Sequence, residues 1–204
     1  MKPARLLFLC LFLCSTAFSI AAFAEEGFKP LFNGKNLDGW DGDPRLWSVR
    51  DGMIVGSTEG VPLQHNEFLI AKGDYANFIL RVEMKLRNHN SGIQFRSEAL
   101  PDWVVQGYQA DAAADNYWGN IYDEKGTRGT MVDGWPKAKT VVKLKDWNEY
   151  EITCDGDRIR LKLNGLETAD LHDSKKLDGA IALQLHAGPP MEAYFRNIRI
   201  KILK

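Results

Sequence analysis

The chain has 204 residues, with 26 basic and 27 acidic side chains and a net charge of −1 at neutral pH. A balance this even, without a Lys/Arg cluster, excludes the electrostatic footprint of a nucleic-acid or anionic-lipid binder. Of the three cysteines, Cys10 and Cys14 lie near the start, so Cys154 alone remains for the body of the chain and no internal disulfide can form there.

The first predicted element is a leader. Lys2 and Arg5 precede an uncharged apolar run from Leu6 to Ile20, and Ala22-Phe23-Ala24 supplies a small-x-small cleavage site. The run is short for a membrane span, so residues 1–24 read as a removed export signal, with no membrane insertion. The mature protein then begins at Glu25 and works in the periplasm or outside the cell. Leu9 and Leu13 stand where a lipobox needs a small residue, which excludes lipidation at Cys10 or Cys14. Loss of Lys2 and Arg5 takes the net charge from −1 to −3.

Beyond the leader, short alternating runs separated by turn residues predict strands. Trp47-Ser-Val-Arg50 and Met53-Ile-Val55 flank Asp51-Gly52, a two-residue hairpin signal. Phe78, Leu80, Val82, Met84 and Leu86 alternate with Arg81, Glu83 and Lys85; Ile93 and Phe95 alternate with Gln94 and Arg96. Ala112 to Lys145 is the longest stretch without alternation. It contains Tyr117-Trp118-Gly119-Asn120 and Tyr122-Asp123-Glu124, which read as a binding rim. Tyr150 to Cys154, Arg158 to Leu163, Ile181 to His186 and Phe195 to Leu203 complete the set, with Asp155-Gly-Asp157 and Asn164-Gly165 as turns. Cys154 falls within one of these runs and reads as a buried strand residue. No window carries a helical period. Residues 25–204 therefore predict one all-β domain, a sandwich of two antiparallel sheets.

Strand parity then nominates a site. If the apolar faces point inward, Glu83, Gln94, Arg96, Gln184 and His186 share the opposite faces, and the Tyr108-Gln109-Ala110-Asp111 strand adds Gln109 and Asp111. Planar polar groups beside aromatic side chains are what hold sugar hydroxyls and the C–H faces of a pyranose, so the expected partner is a carbohydrate. Each residue taken singly also fits an ordinary solvated strand face. Other chemistries lack their patterns. His65, His89, His172 and His186 have no zinc-type spacing, and neither an H-E-x-x-H nor a G-x-S-x-G motif occurs. Asp123 and Glu124 are adjacent and would face opposite ways on a strand, which counts against a two-carboxylate glycosidase. No cofactor is required by any pattern; a calcium ion is compatible with a jelly roll, though nothing marks its ligands. The oligomeric state is not readable.

Longer motifs carry a resemblance. Gly27-Phe-Lys-Pro-Leu-Phe-Asn-Gly-Lys-Asn-Leu-Asp-Gly-Trp40 opens the body of the chain. Asn90-Ser-Gly-Ile-Gln-Phe-Arg96, Trp147-Asn-Glu-Tyr-Glu-Ile152, Gly179-Ala-Ile-Ala-Leu-Gln-Leu-His186 and Phe195-Arg-Asn-Ile-Arg-Ile200 follow in order. Together these resemble the secreted bacterial 3-keto-disaccharide hydrolase domain family across essentially the whole mature chain. The resemblance implies a concanavalin-like jelly roll with its site on the concave face, and cleavage of glycosides whose ring carries a 3-ketone. It implies site positions at Glu83, Arg96, the Tyr108-Gln109-x-Asp111 strand and His186, and strand parity adds Gln184 beside them. Many members have Glu and Gln where this chain has Gln109 and Asp111, so the segment with Tyr117-Trp118 and Tyr122-Asp123-Glu124 looks like a distinct sub-type. A 3-ketone acidifies the C2 proton, so such a site needs a base, a donor at the enolate oxygen and an acid for the leaving group. Asp111 or Glu83 is cast as base, Arg96 as enolate stabiliser, and His186 or Tyr122 as acid. Gln94, Trp118, Asp123 and Glu124 are expected to contact the sugar. Three readings stay open: an enzyme, a non-catalytic carbohydrate-binding module, and a laminin-G-like interaction module; Glu83–Arg96 could equally be a structural ion pair.

Overall fold

Alternation along the chain becomes two antiparallel sheets facing each other across one apolar core. The structure, a computed structural model, describes residues 27–204, so the leader and the expected start at Glu25 lie outside the described residues. The early strands are β1 (Lys29–Pro30), β2 (Trp40–Asp41), β3 (Trp47–Arg50), β4 (Met53–Ser57) and β5 (Glu67–Ala71). The long ones follow: β6 (Phe78–Leu86), β7 (Asn90–Leu100) and β8 (Val104–Ala113). After β9 (Ile121–Glu124) and β10 (Gly129–Val132) comes a single helical turn, α1 (Trp135–Ala138). The chain closes with β11 (Asn148–Asp155), β12 (Arg158–Leu163), β13 (Leu166–His172), β14 (Ala180–Leu185) and β15 (Glu192–Ile202). One sheet runs β13-β12-β11-β6-β15-β4-β3, with β1 added beside β15; the other runs β10-β9-β8-β7-β14-β5-β2. Such non-sequential neighbours are the jelly-roll arrangement.

The core forms where the period-two faces meet. Phe78, Leu80, Val82 and Met84 of β6 have no exposed surface, while Arg81, Glu83 and Lys85 lie on its outer face. Ile93, Phe95, Ala110, Ile181, Leu183 and Leu185 meet them from the second sheet. Cys154 is buried among these residues, and burial pushes its thiol up to about 12, so it stays protonated and inert.

Two departures from simple alternation decide where the polar residues go. The first is a bulge in the β7–β8 pairing: Phe95 opposes Tyr108, but the next aligned pair is Glu98 with Gln106. Arg96 sits inside it with φ 46°, opposite Gly107 at φ 146°. A Cβ on Gly107 would lie 2.6 Å from Ser97 Oγ and 2.9 Å from its Cα, so only glycine lets the strands pass here. The bulge takes Arg96 out of register with Gln94. It ends fully buried, with Nε on the Ala76 carbonyl at 2.8 Å, Nη1 on the Gly156 carbonyl at 2.7 Å and Nη2 on Asn77 Oδ1 at 3.1 Å. The expected place on the concave face is corrected: Arg96 ties together the β5–β6 and β11–β12 connections.

Past the bulge, the tip of the β7–β8 hairpin folds over the second sheet. Val105 packs on Phe68 and Ala182, and the Phe68 N–H donates to the Trp103 carbonyl at 2.9 Å. The fold-over buries a face that a flat sheet would leave wet, which is why Gln94 and Gln184 have no exposed surface.

The second departure is a matter of which sheet a strand joins. Glu83 faces outward as parity required, but β6 belongs to the outer sheet. Its carboxylate accepts from Arg196 Nε at 2.7 Å and Asn197 Nδ2 at 2.6 Å. Glu83 is therefore a convex-surface ion pair, away from Arg96 and Asp111 alike.

Trp118 is also displaced from its expected role. It is 1% exposed, donates Nε1–H to the Ala113 carbonyl at 2.6 Å and stacks on Tyr150 with ring centroids 6.0 Å apart. It fills the core rather than offering a platform to sugar. Trp118→Phe should cost about 2 kcal/mol, from the lost hydrogen bond and volume, and lower the melting temperature by several degrees. An unchanged melting temperature would put the indole back at the surface.

Candidate active site

Asp111 is the group around which the cleft is built. Parity on β8 points Tyr108, Ala110 and Ala112 into the core, and leaves Gln109 and Asp111 on the concave face. Tyr108 accordingly stacks on Phe95, centroids 5.7 Å apart, and is not at the sugar face where it was expected. On the neighbouring strands the same face carries Gln94, which opposes Gln109, and Tyr122, which opposes it from the other side.

These side chains form a directed chain. Ser97 Oγ donates to Gln94 Oε1 at 2.7 Å, Gln94 Nε2 to Gln109 Oε1 at 2.6 Å, and Gln109 Nε2 to Asp111 Oδ1 at 2.6 Å. Every donor points toward the carboxyl group, so the amides fix its orientation and their dipoles reinforce one another. Gly92, between β8 and β14, makes room for this: a Cβ there would lie 2.6 Å from Gln109 Cδ. Asp111 Oδ2 has no hydrogen-bond partner among the described residues. Burial, opposed by the Gln109 hydrogen bond and reinforced by the nearby Glu124 charge, raises the Asp111 pKa to about 7. A carboxyl group balanced between its two forms near neutrality is suited to accept and return a proton.

Glu124 closes the cleft from the opposite wall. It accepts from Asn66 Nδ2 at 2.9 Å and from Gln184 Nε2 at 3.3 Å. Asn66 Oδ1 in turn takes the Ala187 N–H at 2.9 Å, which ties Glu124 to the segment bearing His186. His186 Nδ1 lies 2.6 Å from the Ala187 carbonyl, and a carbonyl only accepts, so Nδ1 is the donor of this pair. The His89 ring stands edge-on to it, centroids 4.9 Å apart. Burial and the Glu124, Asp111 and Asp123 charges raise the Tyr122 pKa, which holds the phenol protonated. The resulting cavity, about 320 Å³, is lined by Gln109, Asp111, Tyr122, Glu124, Gln184 and His186. Asn66, Asn90, Tyr117, Lys125 and Thr130 complete its wall.

Of the residues expected from sequence, the cleft thus brings Asp111, Gln109, Tyr122, Glu124, Gln184 and His186 together, with Gln94 buried beneath them. It does not gather Glu83, Arg96, Tyr108, Trp118 or Asp123. Asp123 faces the other side of β9, where Arg128 Nε meets it at 2.9 Å and holds its carboxyl below the usual range. Tyr117 lies in the wall as the binding-rim reading expected. Sequence reasoning did not single out four wall residues: Asn66 is in the loop before β5, Lys125 in a turn, Thr130 on the four-residue β10, and Asn90 at the first position of β7, outside its alternating part. Among the described residues no three His, Cys, Asp or Glu side chains gather as a metal would need, so the donor set gives a calcium ion no carboxylate cage.

Comparisons with known proteins agree with this architecture. No curated protein matches the chain significantly. A protein from Parabacteroides distasonis ATCC 8503 described as a glycosyl hydrolase superposes with a TM-score of 0.66 at 22% identity, over 88% of this chain and 95% of that one. The carbohydrate binding module CBM66 from Bacillus subtilis gives 0.61 at 18% identity, over 80% and 95% of the two chains. The Bacillus licheniformis beta-glucanase gives 0.54 at 13%, over 87% and 97%. These likenesses establish the concanavalin-like fold. The model of the 3-keto-alpha-glucoside-1,2-lyase-like domain matches residues 27–201, nearly all of the described chain, and the protein belongs to that family.

Proposed function

We propose that this protein is an exported enzyme that cleaves 3-keto-glycosides by elimination across C1–C2, with water adding afterwards. Family membership supports a carbohydrate-active role in general terms. The observation that carries the finer reading is Asp111: a buried carboxyl group with a pKa near 7, one oxygen anchored and the other unpartnered at the cleft.

The chemistry follows from the ketone. Asp111 removes the C2 proton, and the C–H electron pair forms an enolate whose charge rests on the C3 oxygen. As the carbonyl re-forms, a C1–C2 double bond forms and the C1–O bond breaks; the leaving oxygen takes a proton from Tyr122, which is held in its acid form. Addition of water across C1=C2 then returns a free keto-sugar. Arg96 is buried elsewhere, so the enolate must find its donors in the cleft, where Lys125 is the one lysine or arginine among the lining residues. His186, with Nε2 open, orients or activates the water.

A second reading has one observation in its favour. Gln94 and Gln109 are held in a chain of bonds that ends on one Asp111 oxygen, and a carbohydrate binding module shares the fold, so the face could hold sugar without turning it over. Incubation of the purified protein with methyl 3-keto-glucoside separates the two. Release of methanol, with a product initially lighter by one water than the hydrolysed sugar, supports elimination; saturable binding without release supports the module.

A further inference from the structure

We infer that His89 is a positioning residue for His186: its ring donates a second hydrogen bond to the carbonyl that anchors the His186 ring, and so holds that ring in place for the addition of water. The assignment rests on the water-handling role that the keto-glycoside reading gives His186.

His89 lies in the connection between β6 and β7, and His186 directly follows β14. The two side chains share one acceptor. His186 Nδ1 lies 2.6 Å from the Ala187 carbonyl oxygen, and His89 Nε2 lies 3.2 Å from the same atom. A carbonyl oxygen has two lone pairs and no proton, so both ring nitrogens donate to it. The ring planes cross at 75°, an edge-on arrangement that lets the two N–H groups converge. With Nδ1 committed to the wall, Nε2 is the nitrogen left to His186 for a water in the cleft that it lines.

The second donor compensates for a soft point in the loop. Ala187 is followed by Gly188, held at φ 133°, where a residue with a side chain is strained. Space requires glycine as well, because a Cβ there would lie 2.8 Å from His89 Nε2. The residue that makes room for His89 therefore leaves the 187–188 peptide little restrained by side-chain sterics. Its orientation depends on what its oxygen binds. A single bond from the very ring that needs fixing cannot supply that reference; His89 can.

His89 is itself well anchored. Its backbone sits at φ 67°, a left-handed conformation that histidine tolerates better than most residues, and its carbonyl takes the Ala114 N–H at 2.8 Å. Beside it, Asn88 Nδ2 donates to the Pro190 carbonyl at 2.7 Å, and Asn88 Oδ1 accepts the Glu192 N–H at 3.3 Å. Asn66 Oδ1 holds the Ala187 N–H from the cleft side. The loop that carries the shared carbonyl is thus gripped from two directions, and His89 links that grip to the His186 ring.

In the proposed reaction water adds across C1=C2, its oxygen bonding C1 and a proton going to C2. Asp111 and Tyr122 carry the preceding elimination, so His89 matters to the hydration step alone. The test follows both steps on methyl 3-keto-glucoside in wild type, His89→Asn and His89→Gln, each below its own melting transition. Asparagine accepts the left-handed backbone but is too short to reach the carbonyl; glutamine carries an amide N–H about where Nε2 was. Conversion of the unsaturated intermediate to free keto-sugar should fall roughly 10- to 100-fold in His89→Asn and largely recover in His89→Gln, with KM and methanol release unchanged. An unchanged hydration rate in His89→Asn, or an equal fall in methanol release, overturns the assignment. Should wild type release no methanol, the keto-glycoside reading fails by itself. The positioning is then judged by ring nitrogen resonances in histidine-labelled protein. Protons on His89 Nε2 and His186 Nδ1 in wild type, with His186 exchanging between tautomers in His89→Asn, support it. An unprotonated His89 Nε2, or a His186 ring unchanged in the variant, overturns it.

Discussion

Asp111→Asn should lower kcat on a 3-keto-glycoside by about 10³-fold while leaving the protein folded and able to bind. The amide keeps the shape of the carboxyl group and its place beside Gln109, but has no lone pair basic enough to take a carbon-bound proton. The wild-type rate should rise with pH through about 7, as Asp111 ionises, and the variant should lose that inflection. Stability gives an independent readout with the opposite sign. An unfolded aspartate has a pKa near 3.9, so between about 4 and 7 the folded state holds a proton that the unfolded state has released. Folding is therefore favoured at low pH by this residue, and its contribution is lost as pH rises to the folded value. The loss is roughly 2–4 kcal/mol over three pH units, allowing for some water penetration of the cleft. Denaturant titrations at pH 4.5 and 7.5 should show wild type losing that amount relative to Asp111→Asn. Parallel pH dependence in the two proteins would mean that Asp111 is ionised throughout and poorly placed as a base.

The second large effect is at Arg96. Arg96→Ala should cost about 3–5 kcal/mol, because it opens a cavity where the fully buried side chain sat and removes its three bonds to the Ala76 and Gly156 carbonyls and Asn77 Oδ1. A loss of that size lowers the melting temperature by about 10 °C in a domain this long. Arg96→Lys keeps the charge but cannot span three acceptors, and should recover less than half of the loss. Measured below the transition, both variants should turn over keto-glycoside at close to the wild-type rate. A variant that melts normally but has lost turnover would return Arg96 to the reaction.

These two residues also mark the boundary of what can be read without coordinates. Fold class was legible because it depends on local properties: β6 alternates perfectly, and its apolar half is buried to the last residue. The faces of β8 and β14 were legible for the same reason, so Gln109, Asp111 and Gln184 could be placed together; β9 lies in the stretch without alternation, and its pairing with β8 is what sets Tyr122 and Glu124 on that face and Asp123 on the other. Parity fails at a bulge. Arg96 alternates correctly with Ile93 and Phe95 on paper, yet one extra residue in β7 and a glycine across from it send the guanidinium to the other end of the sandwich.

Parity is also silent about which sheet a strand joins. Glu83 points outward as its pattern demands, but outward from β6 is the convex surface, and that depends on long-range pairing with β11 and β15. Between Tyr117 and Trp118 the sequence left two aromatics and no rule for choosing; the space beside Tyr150 chose Trp118. The sequence by itself determined the alternating strands, the inert Cys154 and the polar face that carries Asp111. Only the tertiary structure decided the rest: the hairpin folded over that face, the burial that lifts the Asp111 pKa, and the joining of Asn66, Glu124 and His186 across the cleft. Side-chain direction is a property of neighbouring residues in the chain, whereas desolvation is a property of whatever the rest of the molecule lays on top.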